Sequence, residues 1–180
     1  MGMRGHGRIF LFLCLAGFVA GILYANMGAR DYILATGIFS DYFLEQYAQA
    51  EIHTQDYFWY ILSVRTGLLA VIALLGQMKR IRRWIVSAAL VWTGFLGGLF
   101  FTAAVIKLGP MGIVFCLAAI LPQALFYIAG YGIVLWYFYS YPGSAWNSAK
   151  TIGTILTIGV GIISESYLTP IFLKIFLKTI

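Results

Sequence analysis

Long apolar runs, separated by short polar or basic interruptions, organise this chain of 180 residues. Five runs stand out, at about 8–27, 57–77, 84–106, 112–139 and 151–172. Each reaches or exceeds the roughly 20 apolar residues that an α-helix needs to cross a hydrocarbon core about 30 Å thick. Lipid offers no hydrogen-bond partner to an open backbone, so runs of this kind are helical. The pattern predicts an all-α protein, a polytopic transmembrane helical bundle of about five spans, forming a single integral membrane domain over 1–180. The fourth run would be near 42 Å as a straight helix, longer than the core is thick. Pro122 lies inside it, in ILPQALFY, which predicts a broken or kinked fourth helix.

The segment 29–56 between the first two runs has a different pattern. Phe39, Phe43, Tyr47 and Ala50 recur at helical spacing, and Asp41, Glu45 and Gln49 fall on another face. This is the periodicity of an amphipathic helix. Its polar face carries acid rather than lysine, so attraction to anionic lipid is not its purpose. Two roles fit it equally: a cap on the bundle, or a docking surface for an external partner.

Composition agrees with the pattern. The chain is 62% hydrophobic and 10% charged, with mean hydropathy +0.90. A soluble domain carries about a quarter of its residues charged, so this one uses lipid as solvent. The net charge of +6 would suggest nucleic acid in a soluble protein. Here the basic residues sit at span ends and set orientation, and no nucleic-acid partner is expected. Arg4 and Arg8 precede the first span, Lys79, Arg80, Arg82 and Arg83 follow the second, and Lys150 precedes the fifth. A cytoplasmic N-terminus in a bacterial cell membrane places all of them on the cytoplasmic side. Asp31, Asp41, Glu45, Glu51 and Asp56 then lie outside. An odd number of spans puts Lys174 and Lys178 outside too, against the trend. The first run is read as a retained span rather than a cleaved signal, since no clear small-x-small site follows it. MGMRGH lacks the serine or threonine that N-myristoylation needs at position six. Cys14 and Cys116 fall within apolar runs and read as small lipid-facing or packing residues.

Two charges lie inside spans: Arg65 and Glu165. Each costs several kcal/mol unless paired, wetted or able to snorkel. At about 1.5 Å per residue, Arg65 lies roughly 12 Å from the outer edge of its span and Glu165 roughly 9 Å. Gly153, Thr154, Thr157, Gly161 and Glu165 recur at three- and four-residue steps. Small residues mark helix–helix contact in membranes, so this stripe points Glu165 into the bundle. An Arg65–Glu165 contact is expected, with Lys107 as the alternative cation. The competing reading has Arg65 snorkelling outward and Glu165 wetted near the surface. Pro170 removes the donor for the carbonyl of Ser166 and should bend the helix there. Such a carbonyl beside a carboxylate is either a simple kink or a cation ligand of the kind found in broken transporter helices. Gln123, beside Pro122 and near Tyr127, fits a water-lined cleft and an interhelical hydrogen bond equally well.

Gly17 and Gly21 form a GxxxG in the first span, and Gly94 and Gly98 another in the third, which points to close packing within the chain. No zinc-protease HExxH, phosphate-binding loop, paired intramembrane aspartates or cysteine–histidine cluster is present in the sequence. No catalytic residue, metal or cofactor is expected, and an enzyme is not.

The ending IISESYLTPIF resembles the C-terminal E-x-[YF]-x-[TS]-P signature of the stage II sporulation protein M family. GFLGGLFFTAAVIKLGPMGIVFCLAAILPQALFYIAGYGIVL resembles that family's central helices, and FWYILSVRTG its second span in clostridial members. Many members carry P-H-G-x-x-E at the proline-containing helix. Here Pro122, Gln123, Ala124 and Tyr127 stand there, as in a clostridial-type branch. Whatever that histidine and glutamate do elsewhere does not carry over. The resemblance implies a non-enzymatic multi-pass scaffold that recruits stage II sporulation proteins D and P, the peptidoglycan-degrading partners of forespore engulfment. The acidic outer segment would be their contact. Relatives also occur beside peptide exporters, so a membrane subunit or accessory protein of a peptide or ion transport system is the alternative.

Overall fold

The computed structural model describes residues 3–28, 30, 54–78 and 80–177. Within them the chain is helical, with no strand. The elements are α1 (Met3–Met27), α2 (Thr54–Gly76), α3 (Arg82–Leu108), α4 (Met111–Ser140) and α5 (Ser148–Ile163). A π-helical turn (Ser164–Leu168) follows α5 and leads directly into α6 (Thr169–Leu177). Among the described residues, five helical stretches are long and apolar enough to span a membrane: Gly7–Met27, Gln55–Gly76, Arg82–Leu108, Met111–Ser140 and Ser148–Phe176. They carry large apolar side chains on open faces. Phe12 is 72% exposed and Ile128 71%, as expected where lipid rather than water covers the surface. The protein is therefore a multi-pass helical membrane protein.

The fourth helix differs from a broken one. α4 runs through Pro122 without interruption for 30 residues. A proline removes one donor and leaves the flanking bonds intact, and in lipid an opened backbone would have no other partner. The fifth span passes through Pro170, as expected, and reaches Leu177; the irregularity falls just before the proline, as the π-turn. There the Thr169 amide donates to the carbonyl of Ser164, five residues back. The wider turn holds one extra residue at the point where a regular α-helix would meet the donor missing from Pro170.

The described residues group into two compact units, one holding α1 with residues 87–117, the other holding α2 with the start of α3 and residues 118–177. In the first unit, α1 and α3 meet through reciprocal glycines. A Cβ at Gly17 would strike the carbonyl oxygen of Val91, and one at Gly21 that of Phe95. From the other side, a Cβ at Gly94 would strike the carbonyl oxygen of Cys14, and one at Gly98 that of Phe18. Only hydrogen at these four positions allows the backbones to come so close. The turn from α3 into α4 is made by Gly109, at φ 61°, followed by Pro110. This left-handed residue ends one helix, and the proline opens the next.

In the second unit, α2 packs on α5 and the π-turn, and α5 packs on α4. Ile61, Ile158 and Ile162 form a buried cluster, with Tyr57, Phe58, Leu62, Leu69, Tyr127 and Tyr131 around it. Gly130 of α4 lies where a Cβ would meet Ile158 and Thr157 of α5, and Gly161 lies under the ring of Tyr127. Gly153 faces Ile133 more loosely, with the isoleucine Cδ1 3.4 Å from where a Cβ would lie. The small-residue stripe of the fifth span is thus the face that receives α4. Asn147 caps α5, its side chain accepting the amide of Lys150 at 3.0 Å.

Candidate functional site: a buried polar cluster across three spans

The second unit gathers intramembrane polar groups around Glu165. Arg65, on α2, meets the carboxylate in two places. Its Nε donates to Oε2 at 2.9 Å and its Nη2 to Oε1 at 2.5 Å. This is the planar fork that a guanidinium, and not an ammonium, presents to a carboxylate. Tyr127, on α4, donates its hydroxyl to the same Oε2 at 2.5 Å. Its ring also lies under the arginine, 4.6 Å from the guanidinium carbon to the ring centre, a cation–π contact that helps to hold a desolvated charge. One turn further along α4, Tyr131 donates its hydroxyl to the backbone carbonyl of Arg65 at 3.0 Å.

A second bond runs between α4 and α6. Gln123 is buried; its amide donates to the carbonyl of Ala119 at 2.6 Å, and its oxygen accepts from the hydroxyl of Thr169 at 2.7 Å. Of the two readings open for Gln123, the interhelical bond is the one found. Gln123, Tyr127 and Tyr131 lie four residues apart on α4, which is one face of a helix. That face meets Thr169 and Glu165 on one neighbour and Arg65 on the other.

The π-turn carries Glu165 and ends just before Thr169. Ser164, Glu165 and Ser166 are all buried in succession, although a regular helix facing one neighbour buries positions three and four apart. The extra residue widens this turn, and Glu165 and Thr169, four residues apart, share one face. Wide turns of this type occur often at functional sites. Here the hydroxyls of Ser164 and Ser166, with that of Thr154, are buried without a hydrogen-bond partner among the described residues.

Chemically, this cluster neutralises itself. Glu165 Oε1 accepts from one donor and Oε2 from two. Three spans are tied together by groups that would each be costly alone in lipid.

The other residues singled out in the sequence fall elsewhere. Lys107, the alternative cation, is in the last turn of α3 and belongs to the first unit. Among the described residues, the bonds to Glu165 come from Arg65 and Tyr127. Gly17, Gly21, Gly94 and Gly98 form the α1–α3 contact. Asp41, Glu45 and Gln49 lie outside the described residues. Sequence reasoning missed two participants in this cluster and one buried arginine outside it. Tyr131 was findable from its four-residue spacing to Tyr127. Thr169 stands in the final span between Glu165 and Pro170, which are the more conspicuous residues. Arg82 is that arginine, buried although it sits in a run of basic residues that reads as a solvated span end. The chain matches no protein-family model, no curated protein sequence and no solved structure.

Proposed function

We propose that this chain is a non-enzymatic membrane scaffold whose bundle is locked by the Arg65–Glu165–Tyr127 cluster. The observation that carries this reading is the set of bonds at Glu165: Oε1 accepts from α2, and Oε2 from both α2 and α4. Such bonds hold the carboxylate between two other helices, as a lock on the bundle requires. A rigid bundle suits a protein that positions others. The resemblance to the stage II sporulation protein M family supplies the partners of this proposal, the stage II sporulation proteins D and P. It also supplies the setting, the bacterial cell membrane with the N-terminus in the cytoplasm. The test is a deletion strain of the endospore-forming host, complemented with wild type or with Glu165→Gln. Under the scaffold reading, engulfment fails in the deletion. In the variant, recruitment of the hydrolases falls in step with the amount of folded protein.

The unpartnered hydroxyls of Ser164 and Ser166, on the π-turn beside Glu165, favour a second reading. In it the chain is the membrane subunit or accessory protein of a peptide or ion transport system, and the π-turn lines the path. Flux lost in Glu165→Gln at normal protein level, with hydrolase recruitment intact, would replace the first reading with this one. A gene for an ATP-binding-cassette ATPase beside this one would point the same way.

A further inference from the structure

Arg82 is 7% exposed, yet no carboxylate among the described residues pairs with it. Its Nε donates to the carbonyl of Gly76 at 2.8 Å, closing the turn between α2 and α3. Its guanidinium carbon stands 4.0 Å from the ring centre of Tyr141 and 5.7 Å from that of Phe138. Its Nη1 is buried with no hydrogen-bond partner among the described residues. A buried guanidinium with an unused donor and no counter-charge is costly to keep. The aromatic rings offset that cost only in part.

Beside it lies a cavity of about 380 Å³, walled by Arg80, Arg82, Arg83, Trp84, Phe138 and Tyr141. Three guanidinium groups line one cavity, and Arg83 also lies over the ring of Tyr139 at 6.0 Å. The place matters as much as the charge. The end of α2, the start of α3 and the end of α4 converge here, all of them ends of membrane-spanning helices. That is the depth of lipid headgroups, where arginine and aromatic side chains are also at home.

We infer that this cavity is a binding site for an anionic phosphate group, held by Arg82 from within and by Arg80 and Arg83 at the rim. Planar guanidinium forks match phosphate oxygens, and the aromatic walls suit the glycerol and first acyl carbons of a phospholipid. A phosphate supplies the counter-charge that Arg82 lacks. Its source is the headgroup of an anionic phospholipid or a soluble phosphate, and the two are separable by experiment.

The full chain, purified in a neutral detergent, is assayed for retained lipid by native mass spectrometry and for melting temperature. The probes are phosphatidylglycerol, phosphatidylcholine and inorganic phosphate. Phosphatidylglycerol should be retained and should raise the melting temperature, and zwitterionic phosphatidylcholine should do neither. If millimolar inorganic phosphate displaces the lipid and gives the same protection, the soluble ion is the source; if it leaves the lipid in place, the headgroup is. Arg80→Gln with Arg83→Gln changes exposed side chains only, so the lipid-free melting temperature should stay at the wild-type value. Affinity for phosphatidylglycerol should fall roughly fivefold per arginine, about 25-fold in the pair. Arg82→Gln should abolish retention, and if that variant does not fold, the exposed pair decides the matter alone. Equal binding of both lipids, equal affinity in wild type and the double variant, or no binding of any of the three probes would overturn the site.

Discussion

Glu165 would be untenable alone at its depth in the membrane, and the two residues that reach it make it a point of cohesion. The Arg65 side chain is 30% exposed and that of Glu165 11%, so the pair is shielded on one side and open to its surroundings on the other. Removing either partner leaves the other charge without its fork. Glu165→Gln and Arg65→Gln should each destabilise the folded protein by on the order of 3 kcal/mol. The double variant should recover part of that loss, because no lone charge remains. Unfolding in mixed detergent micelles, run as a double-mutant cycle, measures this, and a double variant no better than the singles would remove the pair from the account. Tyr127→Phe is a gentler probe. It deletes the hydroxyl that donates to Oε2 and keeps the ring beneath the guanidinium. The expected loss is about 2 kcal/mol, the range for a hydrogen bond to a charged group, read by the same unfolding measurement.

Among the helices, some glycines touch backbone, some meet side chains and some face open space. A Cβ at Gly94 or Gly98 would run into carbonyl oxygens of α1, whereas Gly132 and Gly159 have nothing within 4 Å of where a Cβ would lie. Gly94→Leu should therefore push α1 from α3 and cost about 3 kcal/mol or more, at the upper end for overpacking. Gly159→Ala should be neutral, or stabilising by up to about 1 kcal/mol through helix propensity. Melting temperatures of the two variants check the contrast, and equal losses would count against the reciprocal glycine contact. The π-turn belongs with the helices as well. Pro170 removes a donor, and the helix continues by widening one turn rather than by stopping, since in lipid a stopped helix would leave its backbone open.

For the molecule as a whole, five spanning helices imply that the turn at 109–110 and the segment at 141–147 lie on opposite sides of the membrane. The proposed orientation, drawn from the basic residues at span ends, puts 141–147 in the cytoplasm. Site-directed labelling checks this in a background with Cys14→Ala and Cys116→Ala. A membrane-impermeant maleimide should reach Pro110→Cys in intact cells, and should reach Gly143→Cys only after permeabilisation. Labelling of Gly143→Cys in intact cells, with none of Pro110→Cys, would invert the topology.

Class, span positions and the identity of the costly residues were all legible along the linear chain. Each rests on local chemistry: twenty apolar residues make a span, a glycine is small wherever it lies, and a charge in an apolar run must be answered. Arg65, Glu165, Lys107, Gln123 and Tyr127 could be named as the intramembrane polar residues, of which Lys107 falls in the other unit. Their partners were settled in three dimensions. Arg65 and Glu165 are a hundred residues apart, and their meeting depends on which helix faces which. The π-turn was also beyond the linear pattern. One added residue in a turn changes no composition and leaves only a short break in periodicity. The same holds for Arg82, one of three arginines in the sequence RIRR. Charge is the same for neighbours in such a run, and only the close of the turn onto Gly76 selects the one that is buried.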